Sequence, residues 1–198
     1  MKRSKLSIAI TGGIGSGKSE VCRWFSDNNI PITSADILGH ELLNSKSVQD
    51  ILRTVFGDEI WVNNKIDRLV LGNIVFENKA KTAQLNEIMH PRIIIKLKKL
   101  LKIQKTSIAI YEIPLLFESG LENVFDIILT VWASENVRLE RLKKRPAMTA
   151  AKIEKIMAQQ YSKLAAIARS DYVIENNSSI AELEAALTKL YKELKERL

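Results

Sequence analysis

Four glycines between residues 12 and 17 place the strongest constraint on how this 198-residue chain can fold. They begin a segment, Gly12–Ser19, that fits the pattern G-x-x-x-x-G-K-[ST]. An apolar run at residues 5–11 precedes the segment, and the helix-forming sequence KSEVCRWFSDN follows it. In a loop between a strand and a helix, backbone N–H groups converge on phosphate oxygens, and the helix N-terminus adds positive potential. The segment therefore predicts a phosphate-binding loop.

The residues of this loop predict how it would bind a nucleotide. Lys18 would reach the β- and γ-phosphates, and the Ser19 hydroxyl would ligate Mg²⁺. The carboxylate of Glu20 would repel a nucleotide if it pointed inward, so we expect it to point outward while its amide N–H binds phosphate. A tight turn without a ligand is the alternative. The predicted nucleotide-binding residues are Gly13, Ile14, Gly15, Ser16, Gly17, Lys18, Ser19 and Glu20.

Apolar runs without polar alternation, each followed by a helical pattern, predict a parallel sheet covered on both faces and so an α/β fold. The mostly helical block at about 36–104 is too long for a simple crossover, which predicts an inserted helical subdomain. The predicted strands are residues 5–11, 30–33, 106–113, 125–133 and 171–176.

Further helices are predicted around these strands. A basic helix covers residues 136–145, and one long helix covers 148–170. Within the inserted block, His90-Pro91-Arg92 is expected to end a helix. An amphipathic helix closes the chain, with an apolar stripe at 180, 183, 187, 190 and 194.

Charge and cysteine content restrict the partners and the compartment. The net charge of +7 fits nucleic acid, an acidic membrane surface, phosphorylated small molecules, or simply a solvated lysine-rich surface. Cys22 is the only cysteine, which excludes an internal disulfide and suits a reducing cytoplasm. The sequence shows no signal peptide and no apolar run of about 18 residues, so we expect a cytoplasmic location.

Two short patterns match motifs that are typical of GTPases, but their spacing argues against that function. Asp36–Gly39 fits D-x-x-G, and Asn64–Asp67 fits N-K-x-D. One helix and a short strand fill the residues between Lys18 and Asp36, which leaves no room for a switch loop with its own Mg²⁺-binding threonine. The N-K-x-D pattern also follows a short polar segment instead of a buried strand. A nucleic-acid-dependent motor would need a second apolar strand ending in a D-E pair, which the sequence lacks.

A small-molecule kinase fits better, because it needs an acid beside the acceptor and arginines that neutralise the transferring phosphoryl group. Asp36 comes just past the second strand, so it would face the glycine loop across the carboxyl edge of the sheet. There it could orient an acceptor hydroxyl and take its proton; a helix N-cap is the alternative. Glu112 lies near the end of the strand at 106–113, where an acid could hold Mg²⁺ through water.

The basic helix supplies candidate cations. Arg138, Arg141 and Arg145 are spaced to share one helical face, and the alternative is a solvated basic surface. A lone histidine such as His90 is more often structural than a ligand, and the sequence contains no metal-ligand cluster.

Several longer motifs, taken together, resemble the dephospho-coenzyme A kinase family over nearly the whole chain. The IDR…LG-x-IVF, HP and PLLFE elements are more specific than the glycine loop, which marks only a superfamily. The motifs that carry the resemblance are ITGGIGSGKS, SAD at 34–36, IDRLVLGNIVF at 66–76, LNEIMHPRI at 85–93, EIPLLFESGL at 112–121, RLERLKKR at 138–145 and DYVIEN at 171–176.

The resemblance implies a P-loop fold like that of nucleoside monophosphate kinases, with a five-stranded parallel core, a helical substrate subdomain and a lid. The nucleotide-binding core would comprise about 1–35, 105–137 and 170–198, the substrate-binding insertion about 36–104, and the lid about 138–169.

The resemblance also implies an activity. The γ-phosphoryl group of ATP, with Mg²⁺ as cofactor, would pass to the ribose 3′-hydroxyl of dephospho-coenzyme A, the last step of coenzyme A synthesis. Both substrates are phosphorylated small molecules, which gives the positive charge a use, and neither nucleic acid nor a membrane is implied as a partner. The implied catalytic residues are Asp36 as base with Lys18, Arg141 and Arg145, and the implied acceptor-side residues are Asp36, Arg68, His90 and Glu112.

Five positions depart from the family pattern. Glu20 occupies a position where the family has Thr. Asp is the family residue at three positions, which here are Ser34, Glu112 and Pro146. Lys155 occupies a position where the family has Arg. The change at 155 matters for the lid, because lysine cannot form a planar bidentate clamp on phosphate.

Two other functions stay open from the residues alone. One is a P-loop kinase for a nucleoside or another small metabolite. The other is a basic nucleic-acid-binding ATPase, for which KLKKLLKIQK at 96–105 is the best support. As a helix, however, that run is amphipathic, with Leu97, Leu100 and Leu101 inward and the lysines outward.

Overall fold

A computed structural model divides the chain into two compact units. One, the sheet unit, comprises Met1–Ser34 and Gln104–Leu198, and the other, the inserted unit, comprises Ala35–Ile103. The structure describes residues 4–63, 65–76, 78–146, 148–158, 160 and 162–198.

The strands and helices follow one another in alternation along the sheet unit, while the inserted unit is mostly helical. The strands are β1 (Leu6–Thr11), β2 (Ile32–Ser34), β3 (Trp61–Val62), β4 (Lys65–Ile66), β5 (Ile108–Glu112), β6 (Ile127–Trp132) and β7 (Tyr172–Glu175). The helices are α1 (Lys18–Asp27), α2 (Ala35–Leu42), α3 (Lys46–Phe56), α4 (Arg68–Phe76), α5 (Lys79–Ile103), α6 (Glu135–Lys143), α7 (Ala150–Ala158), α8 (Lys163–Ala168) and α9 (Ile180–Glu196), with short 3₁₀ turns at Asp58–Ile60 and Glu122–Val124.

The sheet unit is built on five parallel strands in the order β2-β5-β1-β6-β7. The three inner strands are almost wholly buried, which explains their continuous apolar sequences. The register sets Ile10 opposite both Glu112 and Leu129, so the carboxyl ends of β1, β5 and β6 meet at one edge. The predicted α/β fold with a parallel sheet is confirmed.

Two helices cover the sheet with apolar stripes. On α1 the buried residues are Val21, Cys22 and Phe25, and on α9 they are Leu183, Leu187, Leu190 and Leu194. Ile180 is 63% exposed, so the predicted stripe is wrong at its first member. Residue 180 directly follows the N-cap Ser179, so it is the first residue of α9, and the buried stripe begins at Leu183.

The inserted unit has its own apolar core. Its buried residues come from α3, α4, α5 and the first 3₁₀ turn: Val48, Leu52, Phe56, Ile60, Leu71 and Met89. A two-stranded antiparallel hairpin, β3–β4, is an element that the sequence did not predict, because two-residue strands leave no period to detect.

Helix α5 continues through Pro91, so the prediction that a helix ends at residues 90–92 is wrong. Proline removes one backbone hydrogen bond and crowds the preceding turn. The helix persists because residues on both sides of the proline, Met89 and Leu97, are buried, and packing outweighs local propensity. Beyond the proline, Leu97 is buried, Leu100 and Leu101 are half-buried, and Lys98 and Lys99 are exposed, so the inward face predicted for this run is confirmed in full only at Leu97.

Two predictions for the segment after β6 are wrong. The single long helix is in fact α7 and α8, because Ser162 has an extended backbone and accepts a hydrogen bond from the Ala165 N–H at 3.2 Å as an N-cap. Helix α6 ends at Lys143, so Arg145 lies beyond it and does not share a helical face with Arg138 and Arg141. In the part of the chain that the structure describes, no helix is both long and apolar enough to cross a membrane.

Truncating the stripe of α9 should destabilise the chain. Leu187 is fully buried, so Leu187→Ala should lower the free energy of unfolding by about 2–5 kcal/mol, through lost burial and a residual cavity. Ile180→Ala on the same helix is the control and should change the free energy of unfolding by less than about 0.5 kcal/mol. Urea denaturation followed by circular dichroism measures both, and equal losses would contradict this packing.

Candidate active site

The glycine loop joins β1 to α1 at the carboxyl edge of the sheet. Gly12 has φ +144°, and a Cβ atom there would lie 2.1 Å from the Val131 carbonyl oxygen. Gly17 has φ +98°, and a Cβ atom there would lie 2.0 Å from the Asn176 amide nitrogen. Both positions therefore require glycine for two reasons, the backbone conformation and the close neighbour.

The loop ends at the N-terminus of α1, where positive potential is concentrated. Gly17 is the N-cap residue and brings no side-chain hydrogen bond to the first turn. The Lys18 ammonium donates to the carbonyl oxygens of Gly12 at 2.6 Å and Gly13 at 3.2 Å. A helix N-terminus and a lysine beside a glycine loop are the groups that hold phosphate.

Glu20 turns away from the loop. Its carboxylate pairs with Arg23 at 2.8 Å, one turn further along α1, and both side chains are solvent-exposed in part. The expectation that Glu20 points outward is confirmed.

Side chains from α6 and from the end of β7 hold the loop from behind. Arg141 donates to the carbonyl oxygens of Gly15 at 3.4 Å and Ser16 at 3.3 Å, and to the Asn176 amide oxygen at 3.2 Å. The Asn176 amide nitrogen donates to Ser16 O at 2.9 Å. The sequence analysis missed Asn176; its one signal is its place as the last residue of a predicted strand, at the carboxyl edge where ligands bind. Arg145 is exposed.

The charges of Glu112 and Lys18 both shift the pKa of the single cysteine, Cys22. Burial raises the pKa of the Cys22 thiol to about 12, the negative charge of Glu112 adds to that rise, and the positive charge of Lys18 opposes it. Glu112 ends β5 and is in register with Ser34 at the end of β2. An acid and the loop lysine are thus close to the first turns of α1.

A cleft opens beside the first two glycines of the loop. Its walls come from β1 and the glycine loop, from β6, from the segment after β5, and from the segment before α8. The lining residues include Thr11, Gly13, Pro114, Phe117, Trp132 and Gln160.

The inserted unit carries three of the predicted acceptor-side residues. Asp36 is the second residue of α2 and is exposed, so it is not the N-cap that was the alternative. Arg68 begins α4, and its guanidinium lies 2.7 Å from His40 Nε2. Because arginine only donates, Nε2 of His40 is the acceptor in this contact. Asp36 and His40 are four residues apart on α2, so they share a helical face with Arg68 beside it.

His90 lies in the middle of α5 and is half-buried. Burial lowers its pKa, so the ring is held toward its neutral form.

The residues of the N-K-x-D pattern serve a hairpin and a helix cap. Lys65 belongs to β4, and the Asp67 carboxylate accepts from the N–H groups of Leu69 at 2.8 Å and Val70 at 3.1 Å at the start of α4. Asn64 lies outside the described residues. These residues follow no strand of the parallel sheet, which does not fit a guanine-binding site.

Comparison with known proteins assigns the family. A model of the dephospho-CoA kinase family matches residues 6–182. The chain belongs to the dephospho-CoA kinase family. The dephospho-CoA kinase of Fusobacterium nucleatum is 39% identical over 181 residues, which cover 91% of this chain and 94% of that protein.

Solved structures with the same fold agree with the family. The crystal structure of TT1252 from Thermus thermophilus has a TM-score of 0.82 and 28% identity, covering 97% of this chain and 99% of that one. Dephospho-CoA kinase from Campylobacter jejuni has a TM-score of 0.71 and 25% identity, covering 96% and 97% of the two chains. The resemblance stated from the motifs and the P-loop kinase fold are confirmed for this member of the dephospho-CoA kinase family.

The buried thiol gives a test of the site's electrostatics. Raising the pKa of Cys22 from 9.0 to about 12 lowers the thiolate fraction at pH 8 by about a thousandfold. We expect a thiol reagent to label the folded protein at least that much more slowly than the protein unfolded in urea. Labelling of the folded protein at a comparable rate would contradict the placement of Cys22.

Proposed function

We propose that this chain transfers the γ-phosphoryl group of ATP to the ribose 3′-hydroxyl of dephospho-coenzyme A, giving coenzyme A and ADP. The observation that carries the proposal is a family match over residues 6–182, which include the glycine loop and the whole inserted unit. A match to the loop alone would support any nucleotide-binding function. The match across the inserted unit supports this acceptor.

The donor side rests on positioning and charge. Phosphoryl transfer needs little covalent chemistry from the protein, so catalysis depends on holding the phosphates in line and neutralising charge that develops on them. The loop residues 13 to 20, among which the Ile14 N–H is held by Gln160, and the N-terminus of α1 would bind the β- and γ-phosphates. Lys18 would leave its carbonyl partners to stabilise the transferring group, with Arg141 and Arg145 as further cations.

Magnesium fits the oxygen donors on this side. Mg²⁺ prefers hard oxygen ligands, keeps several waters, and is usually held by one or two protein groups together with substrate phosphates. The Ser19 hydroxyl in the first turn of α1 would ligate it, and the Glu112 carboxylate would contact its water shell. When bound, the ion would neutralise charge on the phosphates.

Asp36 is our candidate for the base. Its carboxylate would accept the proton of the 3′-hydroxyl as the oxygen forms a bond to the γ-phosphorus, while the bond from that phosphorus to the β,γ-bridging oxygen breaks and ADP leaves. Arg68, held by His40, and His90 would contact the acceptor from the inserted unit. The net charge of +7 suits two phosphorylated substrates without a nucleic-acid or membrane partner. A cytoplasmic location is part of the proposal.

An assay with defined components tests the function. Purified protein, ATP, Mg²⁺ and dephospho-coenzyme A should release ADP only when the acceptor is present, with coenzyme A appearing by mass. ADP release that follows a nucleoside or another metabolite instead would favour a different P-loop kinase. ADP release stimulated by DNA or RNA at physiological salt would favour the nucleic-acid-binding ATPase.

Asp36→Asn separates catalysis from binding. The amide cannot accept the proton, so turnover should fall at least about a hundredfold, while the dissociation constant of ATP stays unchanged. Glu41→Gln, also on α2 and exposed in a surface pair with Lys96, is the matched control and should keep full turnover. Stopped-time assays for turnover and calorimetry for ATP binding make the comparison. If Asp36→Asn turned over at nearly the wild-type rate, Asp36 would not be the base.

A further inference from the structure

Ile14, the third residue of the glycine loop, has both of its backbone polar groups held by side chains from elsewhere. Its N–H donates to Gln160 Oε1 at 2.9 Å, and its carbonyl oxygen accepts from Arg138 Nε at 2.8 Å. Arg138 Nη2 also donates to Gln160 Oε1 at 3.2 Å. The three residues form a closed network that fixes the peptide planes on both sides of Ile14.

The guanidinium of Arg138 lies in a close-fitting place. Only 6% of the residue is exposed. One face of the group lies over the Trp132 ring, with the central carbon 5.3 Å from the ring centroid. Next to it is Gly13, where an added Cβ atom would come within 2.7 Å of Nη2. The planar group therefore fits against the tryptophan and a glycine of the loop.

The hydrogen-bond acceptors of this buried cation are neutral. They are a backbone carbonyl and a side-chain amide, the Ile14 and Gln160 oxygens. Burial lowers the pKa of Arg138, and Glu135 on the same helix raises it, but a guanidinium stays charged in a protein. A positive charge is thus held directly behind a loop whose ligand is a phosphate chain, where it adds to the potential of Lys18 and α1.

Gln160 lies between α7 and α8, in the segment that the resemblance assigns to the lid. Its single amide oxygen serves both the loop and the arginine. Gln160 therefore joins the loop to this segment, and loss of its amide oxygen would free the Ile14 N–H and one arm of Arg138.

We propose that Arg138 and Gln160 are positioning residues for the phosphoryl donor: they hold the glycine loop at Ile14 in the conformation that receives the phosphates of ATP. The proposal rests on the nucleotide-binding part of the proposed function. Neither residue needs to touch the reacting atoms, because each acts through the loop backbone and, for Arg138, through its charge.

Four variants test this by direct ATP binding. Arg138→Gln should raise the dissociation constant of Mg²⁺–ATP about tenfold or more, because it removes the charge and the guanidinium that bonds Ile14 and Gln160 together. Lys143→Gln, the control, removes one positive charge from the same helix at an exposed position. It should change the dissociation constant of Mg²⁺–ATP less than about twofold. Arg138→Lys keeps the charge without the planar fork, and Gln160→Leu removes the shared acceptor; both should weaken ATP binding about threefold or more.

Two further readouts separate positioning from a merely structural role. The Michaelis constant for dephospho-coenzyme A should stay within about twofold of wild type in Gln160→Leu, and its melting temperature within about 2 °C, while ATP binding weakens. Exchange of the Ile14 amide proton, followed by NMR, should speed up about tenfold or more in that variant.

The outcomes are distinct. Wild-type ATP affinity in both Arg138→Lys and Gln160→Leu would overturn the positioning roles, as would weakened ATP binding that only accompanies a lowered melting temperature. Wild-type protein that binds ATP but forms no coenzyme A would overturn the proposed acceptor alone. Wild-type protein that binds no ATP would overturn both proposals.

Discussion

The carbonyl oxygens of the glycine loop must be satisfied from behind, and the arrangement of the site depends on how this is done. A loop that turns its N–H groups toward a phosphate turns its carbonyls away, and such groups need donors when buried. Here the donors are Lys18 from α1, Arg138 and Arg141 from α6, and Asn176 from the end of β7. The sheet order brings α6 and β7 to the loop, because β6 and β7 lie on one side of β1.

The choice of donors links folding to chemistry. Three of the four are cations, so the groups that hold the loop also bring positive charge to the place where phosphates would bind. Phosphoryl transfer gains most from charges that are already in place, as Arg138 and Arg141 are behind the loop, since they need no reorganisation when the reaction occurs. A side chain at Gly13 would collide with Arg138, and one at Gly17 would collide with Asn176, which explains why the loop has no side chains at those positions.

Local sequence patterns predicted the loop, the parallel strands and the amphipathic helices, because each depends on neighbours along the chain. The roles of Asn176 and Gln160 could not be predicted, since their partners are loop backbone atoms that only the fold brings close. The same holds for Pro91, where buried neighbours keep a helix intact against local propensity. The family motifs predicted the activity, but the carbonyl-binding layer behind the loop follows from tertiary packing alone.

The position of the transferred phosphoryl group shows which hydroxyl this chain phosphorylates. Dephospho-coenzyme A would be incubated with the protein, Mg²⁺ and ATP labelled in the γ-phosphate, and the isolated product treated with a 3′-nucleotidase. If the chain phosphorylates the 3′-hydroxyl, the label enters coenzyme A and is then released completely as inorganic phosphate. Label that resists the nucleotidase, or that never enters a coenzyme A product while ATP is consumed, would contradict phosphorylation of the 3′-hydroxyl.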